Sequence, residues 1–265
     1  MITERKYGWV KQKDDVRDYG FGRMVRLLKI PFITIPTVVL NRKWCSAVQD
    51  QGQLGSCTAN AWTGLLQYNE NKNRQGGAQF KWLSRLFVYY NERVIQGTVS
   101  QDSGAQLRDG AKVIHKQGVC AETEWPYKVN SFKQTPTPKC YADALPNVIN
   151  NYYSLNTITD MKTCLAAGQC FVLGFNVYDF FSSDQMANTG ILKMPTSTEQ
   201  TNGPIGGHAV MCVGYDDTKQ VFTIKNSWGL GWGLSGNLDG YFTMPYQYIT
   251  NPNYASDFWT VVRDV

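Results

Sequence analysis

Metal ligands are scarce in this chain of 265 residues. It contains two histidines, and none of its seven cysteines forms a Cys-x-x-Cys pair. A zinc site would have to be assembled from scattered residues, so we expect neither a metal nor any other cofactor. The odd number of cysteines leaves at least one thiol outside any intramolecular disulfide.

Beyond the first 40 residues, the chain also has almost no excess of one charge over the other. These residues carry eight basic and four acidic side chains, which leaves 18 basic and 17 acidic side chains for the rest of the chain. A nucleic-acid-binding surface needs a basic stripe on the folded body, and the charge pattern has none. We therefore expect no nucleic-acid partner.

Long apolar runs are missing as well. The first residues lack the apolar core of a secretory signal. The most apolar early run, 27–40, is interrupted by Lys29, Pro31 and Pro36, so it does not read as a membrane helix. The sequence predicts a monomer without a membrane partner, intracellular or particle-associated rather than classically secreted.

Apolar periodicity divides the chain into two halves. Helical spacing predicts helices over 57–72, 83–96, 105–117 and 159–167. Strand-like runs, separated by Gly, Asn, Asp and Pro, follow at 170–177, 208–215, 220–226 and 240–244. We therefore expect an α+β protein with three parts: an irregular extension over 1–34, a helical part over 35–148 and a β-rich part over 149–265.

Cys57 stands where a helical pattern begins, directly after the glycine-containing run QGQLGSC (51–57). A thiol at a helix N-terminus lies among unpaired backbone N–H groups and the positive end of the helix dipole, which favour thiolate over thiol. The position therefore suits a nucleophile. It also suits one small buried residue among seven cysteines, and position alone leaves both interpretations open.

A histidine and an asparagine complete a candidate site. His208 opens a strand-like run after two glycines, whereas His115 lies inside a helical pattern without polar companions and reads as a structural residue. Asn226 follows in the run KNSWGLGWG (225–233), which could also be a turn between strands. An asparagine side chain can accept from the ring N–H of a histidine and leave the other nitrogen for a thiol.

The runs QGQLGSC (51–57), GGHAVMCVGYDD (206–217) and KNSWGLGWG (225–233), in that order, resemble the papain family of cysteine peptidases. Within that family, the sequence is similar to a microbial and viral branch that includes xylellain-type enzymes. This similarity extends to stretches outside the three runs, such as YYNERVIQGTVSQDSGAQLRDG (89–110) and GYFTMPYQYITNP (240–252). The resemblance implies a two-lobed fold with the active site in a cleft. A helical lobe would carry the nucleophile, and an antiparallel β-barrel-like lobe would carry the histidine and asparagine.

The resemblance also implies roles for the motif residues in a thiol endopeptidase. Cys57 would be the nucleophile, His208 its ion-pair partner and later general acid, and Asn226 the residue that orients the imidazole. Gln51 would donate to the oxyanion together with the backbone N–H of Cys57. Pairing with imidazolium can lower the pKa of a cysteine from about 8.5 to about 3–4.

The expected partner is an extended polypeptide substrate. The loop around Gly104 and Ala105 corresponds to the family's substrate-binding loop, Ala209 is a candidate pocket wall, and Trp228 would cover the histidine–asparagine bond.

Three departures from the family pattern are informative. The cysteine that family members commonly have three residues before the nucleophile is Leu54 here, and its partner is missing from the loop at 101–105. Gly207 replaces the Asp or Asn often found before the histidine. Cys120 and Cys140 flank an expected insertion, and a disulfide between them remains one of the alternatives.

The N-terminal part departs most, because only about 34 residues precede the enzyme-like part. Its basic and aromatic character suggests the hypothesis that it lies along the cleft as a short inhibitory pro-segment; a solvated or packing arm is the alternative. Two other functions stay open as well. These are a catalytically quiet binding or regulatory protein on the same fold, and an isopeptide-cleaving or thiol transferase enzyme.

Overall fold

Helices dominate the first half of the chain and strands the second. The computed structural model describes residues 5–27, 34–74 and 81–262. Within these ranges the helices are α1 (Phe21–Leu27), α2 (Cys57–Arg74), α3 (Arg85–Gln96), α4 (Leu107–Gln117), α5 (Pro138–Ala144), α6 (Ile158–Ala166), α7 (Asp184–Thr189), α8 (Ser197–Asn202) and α9 (Tyr246–Ile249). The strands are β1 (Val38–Leu40), β2 (Asn151–Ser154), β3 (Phe171–Val177), β4 (Gly206–Asp216), β5 (Val221–Lys225), β6 (Tyr241–Pro245) and β7 (Ala255–Val262).

The strands form one antiparallel sheet. Its order is β2-β7-β3-β4-β5-β6, and β1 pairs with the last residues of β4. Strand β4 is the longest and pairs with β3, β5 and β1 along its length. The backbone of its first residues is therefore fixed by pairing with β3, so that side chains there have a defined orientation.

Helix α2 is the central helix, since it packs against β4 on one side and against α3 and α4 on the other. It is buried from Cys57 to Glu70, and Trp62, Leu65 and Tyr68 are almost fully enclosed. A helix buried around most of its surface lies inside the protein rather than on it. Its first residue, Cys57, therefore meets the sheet near the start of β4.

Sequence signals fix the ends of the neighbouring helices. The side chain of Ser84 accepts from the backbone N–H of Phe87 at the start of α3, and Gly97 ends that helix with a left-handed φ of 70°. Gly118 ends α4, as the pattern predicts. The predicted helices at 57–72, 83–96, 105–117 and 159–167 are confirmed within two residues at each end.

The α+β fold class and the four predicted strands are confirmed. The expectation of irregular chain over 1–34 is wrong for α1, which buries Phe21 and Met24 against the body of the protein. Residues 1–4 and 28–33 of that extension lie outside the described residues. The part boundaries near 34 and 148 stay a prediction, although β1 crosses from the helical half to pair with β4.

Candidate active site

The turn that precedes α2 is held by buried polar contacts. The hydroxyl of Tyr127 donates to the carbonyl of Gln51 at 2.8 Å and lies 2.5 Å from the hydroxyl of Ser56. Asn60 donates to the carbonyl of Ser56 at 2.9 Å. These bonds tie both ends of the turn to fixed groups, so Gln51 and Cys57 keep a constant separation.

The Gln51 side chain is fully buried and oriented from both ends. Its Oε1 accepts from the hydroxyl of Ser227 at 2.6 Å, and its Nε2 donates to the carbonyl of Leu54 at 2.9 Å. Because Oε1 is already bound, the amide cannot flip without losing a bond. The remaining N–H of Nε2 points to the carbonyl of Lys6, 3.1 Å away.

His208 and Asn226 meet in the interior. His208 Nε2 lies 2.8 Å from Asn226 Oδ1, so the ring donates through Nε2 to the amide oxygen. Trp228 lies over the imidazole with ring centroids 5.1 Å apart, and Phe175 and Phe181 close its other sides. Nδ1, the second ring nitrogen, makes no hydrogen bond with the described residues.

Cys57 lies beside this pair. The sulfur is fully buried, and the backbone N–H of Ala209, the residue after His208, faces it. Burial raises the pKa of Cys57 to about 12, although the N–H groups of Ala209, Gly8 and Thr58 act in the opposite direction. Burial also lowers the pKa of His208 to about 4, although the hydrogen bond to Asn226 acts to raise it. Burial therefore favours the neutral form of each group.

The ion pair between Cys57 and His208 stays a prediction, and burial in the closed cleft opposes it. Ionisation of a buried pair requires that the gain from the mutual attraction exceed the cost of removing both charges from water. In this structure Cys57 and His208 are each fully buried, and part of the cover comes from the N-terminal extension. Removal of the N-terminal extension from the cleft would lower the free-energy cost of ionising Cys57 and His208.

Residues 5–12 of the extension, named the cleft segment here, lie across the site. The N–H of Trp9 donates to the carbonyl of Gly207 at 2.8 Å. The N–H of Ala105 donates to the carbonyl of Gly8 at 2.7 Å, and the N–H of Val10 donates to the carbonyl of Ala105 at 2.9 Å. The cleft segment thus binds both walls of the cleft through its backbone.

Its side chains add further contacts. Arg5 pairs with Asp50, and Lys6 pairs with Asp102 at 2.9 Å. The ring of Tyr7 lies 6.1 Å from that of His208, and burial raises the pKa of its hydroxyl. Trp9 is 6% exposed, so it is a core residue rather than a surface arm.

Three of the four residues expected to bind substrate contact the cleft segment, and the fourth, Ala209, directly follows His208. Gly104 and Ala105 flank Gly8, and an added Cβ at Gly104 would lie 2.2 Å from the carbonyl oxygen of Gly8. Ala209 and Trp228 are 1% and 4% exposed and frame His208. Their roles toward a substrate stay predictions.

The structure leaves the other candidates outside the site. His115 donates from Nδ1 to the carbonyl of Ile149 at 2.9 Å, as a structural residue would. All seven cysteines are free thiols, so Cys120 and Cys140 are not bridged, although both lie in one small buried cluster. Within residues 5–27, 34–74 and 81–262 there is no cluster of metal-ligating side chains, and no helix is long and apolar enough to cross a membrane.

Sequence reasoning missed two carboxylates. Asp102 accepts from the N–H of Gly55 at 3.0 Å and from the hydroxyl of Tyr89 at 2.5 Å. Asp257 accepts from the indole N–H of Trp9 at 2.9 Å. Neither aspartate belongs to a recognisable motif, and both depend on contacts between distant parts of the chain.

The fold and the buried Cys–His–Asn arrangement define a class of thiol hydrolases. The model of the papain family of cysteine proteases matches residues 35–257. The chain belongs to that family and is a papain-like cysteine protease.

Individual relatives agree with this assignment. Xylellain, a cysteine protease from Xylella fastidiosa, is 38% identical and superposes with a TM-score of 0.86 over 98% of this chain and 96% of its own. An uncharacterized peptidase C1-like protein of Acanthamoeba polyphaga mimivirus is 38% identical over 97% of this chain and 86% of its own length. Cathepsin B-like CP3 of Giardia intestinalis is 31% identical over 74% of this chain and 62% of its own length.

Proposed function

We propose that this protein is a thiol endopeptidase that is made as a zymogen, with Cys57, His208 and Asn226 as its catalytic triad. The observation that carries the proposal is the hydrogen-bond pattern of two side chains. His208 gives Nε2 to Asn226, and Gln51 gives its free N–H to a peptide carbonyl, that of Lys6. The first contact suits a base held in one tautomer, and the second suits an oxyanion donor.

In the open cleft, the proton of Cys57 passes to Nδ1 of His208 and the thiolate attacks the scissile carbonyl carbon. Gln51 Nε2 and the Cys57 backbone N–H stabilise the negative charge on the oxygen. Imidazolium then protonates the leaving amine, and a thioester with Cys57 remains. His208 next takes a proton from water, which attacks the thioester and releases the acid and the thiol.

The same contacts explain why the cleft segment would inhibit. It occupies one oxyanion donor with the carbonyl of Lys6 and shields Cys57 and His208 from water. The backbone N–H of Gly8 faces the sulfur, whereas attack requires a carbonyl carbon there. The segment can therefore lie in the cleft without being a substrate in that position.

Gly8 offers a way to open the cleft in the intact chain. A Cβ added there would lie 1.8 Å from the carbonyl oxygen of Gly55, so a side chain cannot coexist with the observed contact. The variant Gly8→Val, called the opened variant below, should displace the cleft segment. This is preferable to removal of residues 1–34, because α1 contributes Phe21 and Met24 to the core.

The test is hydrolysis of an extended peptide library by the full-length protein and by the opened variant. We expect cleavage by the opened variant, little by the full-length protein, and none after Cys57→Ala in either. An epoxysuccinyl thiol inhibitor should label Cys57 in the opened variant. Labelling without hydrolysis of ordinary peptides would favour isopeptide or transferase chemistry, and absence of both would favour a quiet binding protein.

A further inference from the structure

The N-terminal extension is attached to the body of the protein at two separate places. The cleft segment is the first. The second begins at Tyr19, whose carbonyl accepts from the N–H of Ser154 in β2 at 2.8 Å. Helix α1 follows, and its Phe21 and Met24 are 2% and 0% exposed. The second attachment is therefore part of the core, and residues 13–18, named the connecting loop here, link it to the cleft segment.

The tip of the connecting loop points into solvent. The N–H of Asp18 donates to the carbonyl of Asp15 at 3.0 Å, which puts Val16 and Arg17 at the two central positions of a turn. Val16 is fully exposed, and the side chain of Arg17 is 86% exposed and pairs with Asp15 of the same turn. Exposed loop tips are preferred sites of proteolytic cleavage.

Arg108 of α4 holds the base of the connecting loop. Its Nη1 donates to the carbonyl of Lys13 at 2.8 Å, and its Nε donates to the carboxylate of Asp18 at 3.1 Å. One guanidinium group thus fixes both ends of the loop. The loop can open into the extended form that a peptidase binds by the loss of these few bonds, without unfolding of α1 or of the sheet.

The connecting loop does not lie at the catalytic sulfur of its own molecule. The residue of the extension whose N–H faces Cys57 is Gly8, and Val16 lies eight positions further along the chain. A bond at the tip could reach Cys57 of the same molecule only after the cleft segment had left and the loop had come away from Arg108. A cut in the connecting loop is therefore expected from a second molecule.

Such a cut would change how the cleft segment is retained. In the intact chain the segment binds as part of the same molecule, at an effective concentration of about 1 mM for a short linker. After the cut it is a separate peptide, so at about 1 µM protein the ratio of closed to open cleft falls by roughly 10³-fold. Helix α1 does not depend on the cut bond, because Phe21 and Met24 remain in the core.

We propose that the connecting loop is the site of proteolytic activation, where a cut releases the cleft segment and leaves α1 as a permanent part of the active enzyme. The inference rests on the proposed peptidase function. The reaction is hydrolysis of one peptide bond between residues 13 and 18. Its C–N bond breaks, and water supplies the hydroxyl of the new carboxyl end and the hydrogen of the new amino end. The peptidase is an opened copy of this protein or another peptidase.

The first experiment locates the cut. The substrate is the full-length protein with Cys57→Ala, which lacks the proposed nucleophile. It is incubated with the opened variant in one arm and with subtilisin, a peptidase of broad specificity, in the other. The intact masses of the products identify the first bond that is cut.

We expect this bond to lie between residues 13 and 18. A cut there by the opened variant means that the protein can activate its own copies, and a cut there by subtilisin alone points to another peptidase as the activator. First cuts outside 13–18 in both arms, for example near the expected boundary at 34, contradict the proposal.

The second experiment tests activation by a cut at this place. A thrombin recognition sequence is inserted between Val16 and Arg17, where the exposed tip should tolerate it. The matched control carries the same insertion between Thr218 and Lys219, in the exposed turn between β4 and β5. A cut at the control position leaves the chain between the cleft segment and α1 intact.

Thiol reactivity reports the release of the cleft segment. After thrombin treatment at about 1 µM protein, Cys57 of the loop insertion should react with iodoacetamide up to roughly 10³-fold faster than before the cut. The control insertion should show no increase. Cys164, which is buried in the body of the protein, should stay unreacted in both. Equal rates for Cys57 before and after the cut overturn the proposal, and so does reaction of Cys164, which would indicate unfolding.

Failure of the peptidase function would be visible separately, because iodoacetamide reacts with an accessible thiol whether or not the protein hydrolyses peptides. Hydrolysis of the peptide library is therefore measured on the same samples. Faster alkylation of Cys57 without hydrolysis supports the connecting loop as the place of release and contradicts the peptidase function. Hydrolysis that rises together with alkylation supports both.

Discussion

Gly8→Val is expected to convert Cys57 from an inert to a reactive thiol. The added Cβ would lie 1.8 Å from the oxygen and 2.3 Å from the carbonyl carbon of Gly55. Gly55 belongs to the turn held by Asp102, Ser227 and Tyr127, whereas the cleft segment forms no helix or strand of its own. The cleft segment should therefore yield and the turn should stay.

The size of the effect follows from the two states of the thiol. Burial raises the pKa of Cys57 to about 12 in the closed cleft, so very little of it is thiolate at pH 7. In an open cleft, pairing with imidazolium at a cysteine pKa of about 3–4 makes nearly all of it thiolate. The thiolate population should therefore rise by several orders of magnitude, and removal of the cleft segment also gives the reagent access to the sulfur.

The assay is alkylation by iodoacetamide at pH 7, followed by peptide mass spectrometry to separate Cys57 from the other six cysteines. Gly22→Ala is the matched control, since it also adds a Cβ to a glycine of the N-terminal extension but meets no atom within 4 Å. Equal alkylation rates in Gly8→Val and Gly22→Ala would refute the reasoning. So would rapid alkylation of Cys57 in the unmodified protein.

Three further predictions concern the same site. Gln51→Ala in the opened variant should lower kcat by about 10²–10³ with little change in KM, because the donor acts on the transition state. Asp102→Ala should lower kcat/KM by roughly 10- to 100-fold, and Asp102→Asn, which keeps an acceptor for Gly55, should recover much of it. The unfolded chain protonates His208 near pH 6.5 and the folded chain only near pH 4, so protonation of the unfolded chain lowers the stability of the fold as the pH falls through this window. The free energy of unfolding, measured by denaturant titration, should therefore fall more between pH 6.5 and pH 4 in the unmodified protein than in His208→Gln.

Local periodicity was sufficient for the central elements. Helix α2 begins at Cys57 and α4 ends at Gly118, as the spacing of apolar residues and the glycine predict. Strands β3 and β4 are buried almost throughout and carry continuous apolar runs. In each case the pattern that predicts the helix or strand lies within the element itself, so contacts with distant parts of the chain do not alter the prediction.

The strands that the pattern missed have a weaker local signal. Strand β2 is four residues long, with the polar Asn151 and Ser154 at its ends. Strand β7 is broken by the bulge at Asp257, which interrupts any period of two. Strand β2 pairs with β7, and β7 also pairs with β3. Such pairing between distant segments is not visible in a single segment.

The triad candidates could be predicted from motifs, but their protonation could not. Nothing near Cys57 in the sequence indicates that Trp9 and Tyr7 cover the cleft or that Gly8 packs on Gly55. These contacts join residues about 45 or more positions apart, and the burial that they contribute shifts the pKa of the thiol and of the imidazole toward the neutral forms. The hypothesis of a segment along the cleft came from charge and aromatic content, which say nothing about its register.

Asp102 shows how the site is held together without the cysteine bridge that family members commonly have. Its carboxylate, 10% exposed, joins the N–H of Gly55 in the turn before α2 to the hydroxyl of Tyr89, which also accepts from the N–H of Gly104. The turn before α2 and the loop at 101–105 are therefore connected at the place where a bridge from position 54 would lie. A disulfide would hold these walls but leave no charge, whereas the carboxylate also binds Lys6. Because the bonds to Gly55 and Tyr89 do not involve the cleft segment, departure of Lys6 should leave the geometry of the walls intact while it frees a negative charge at the edge of the cleft.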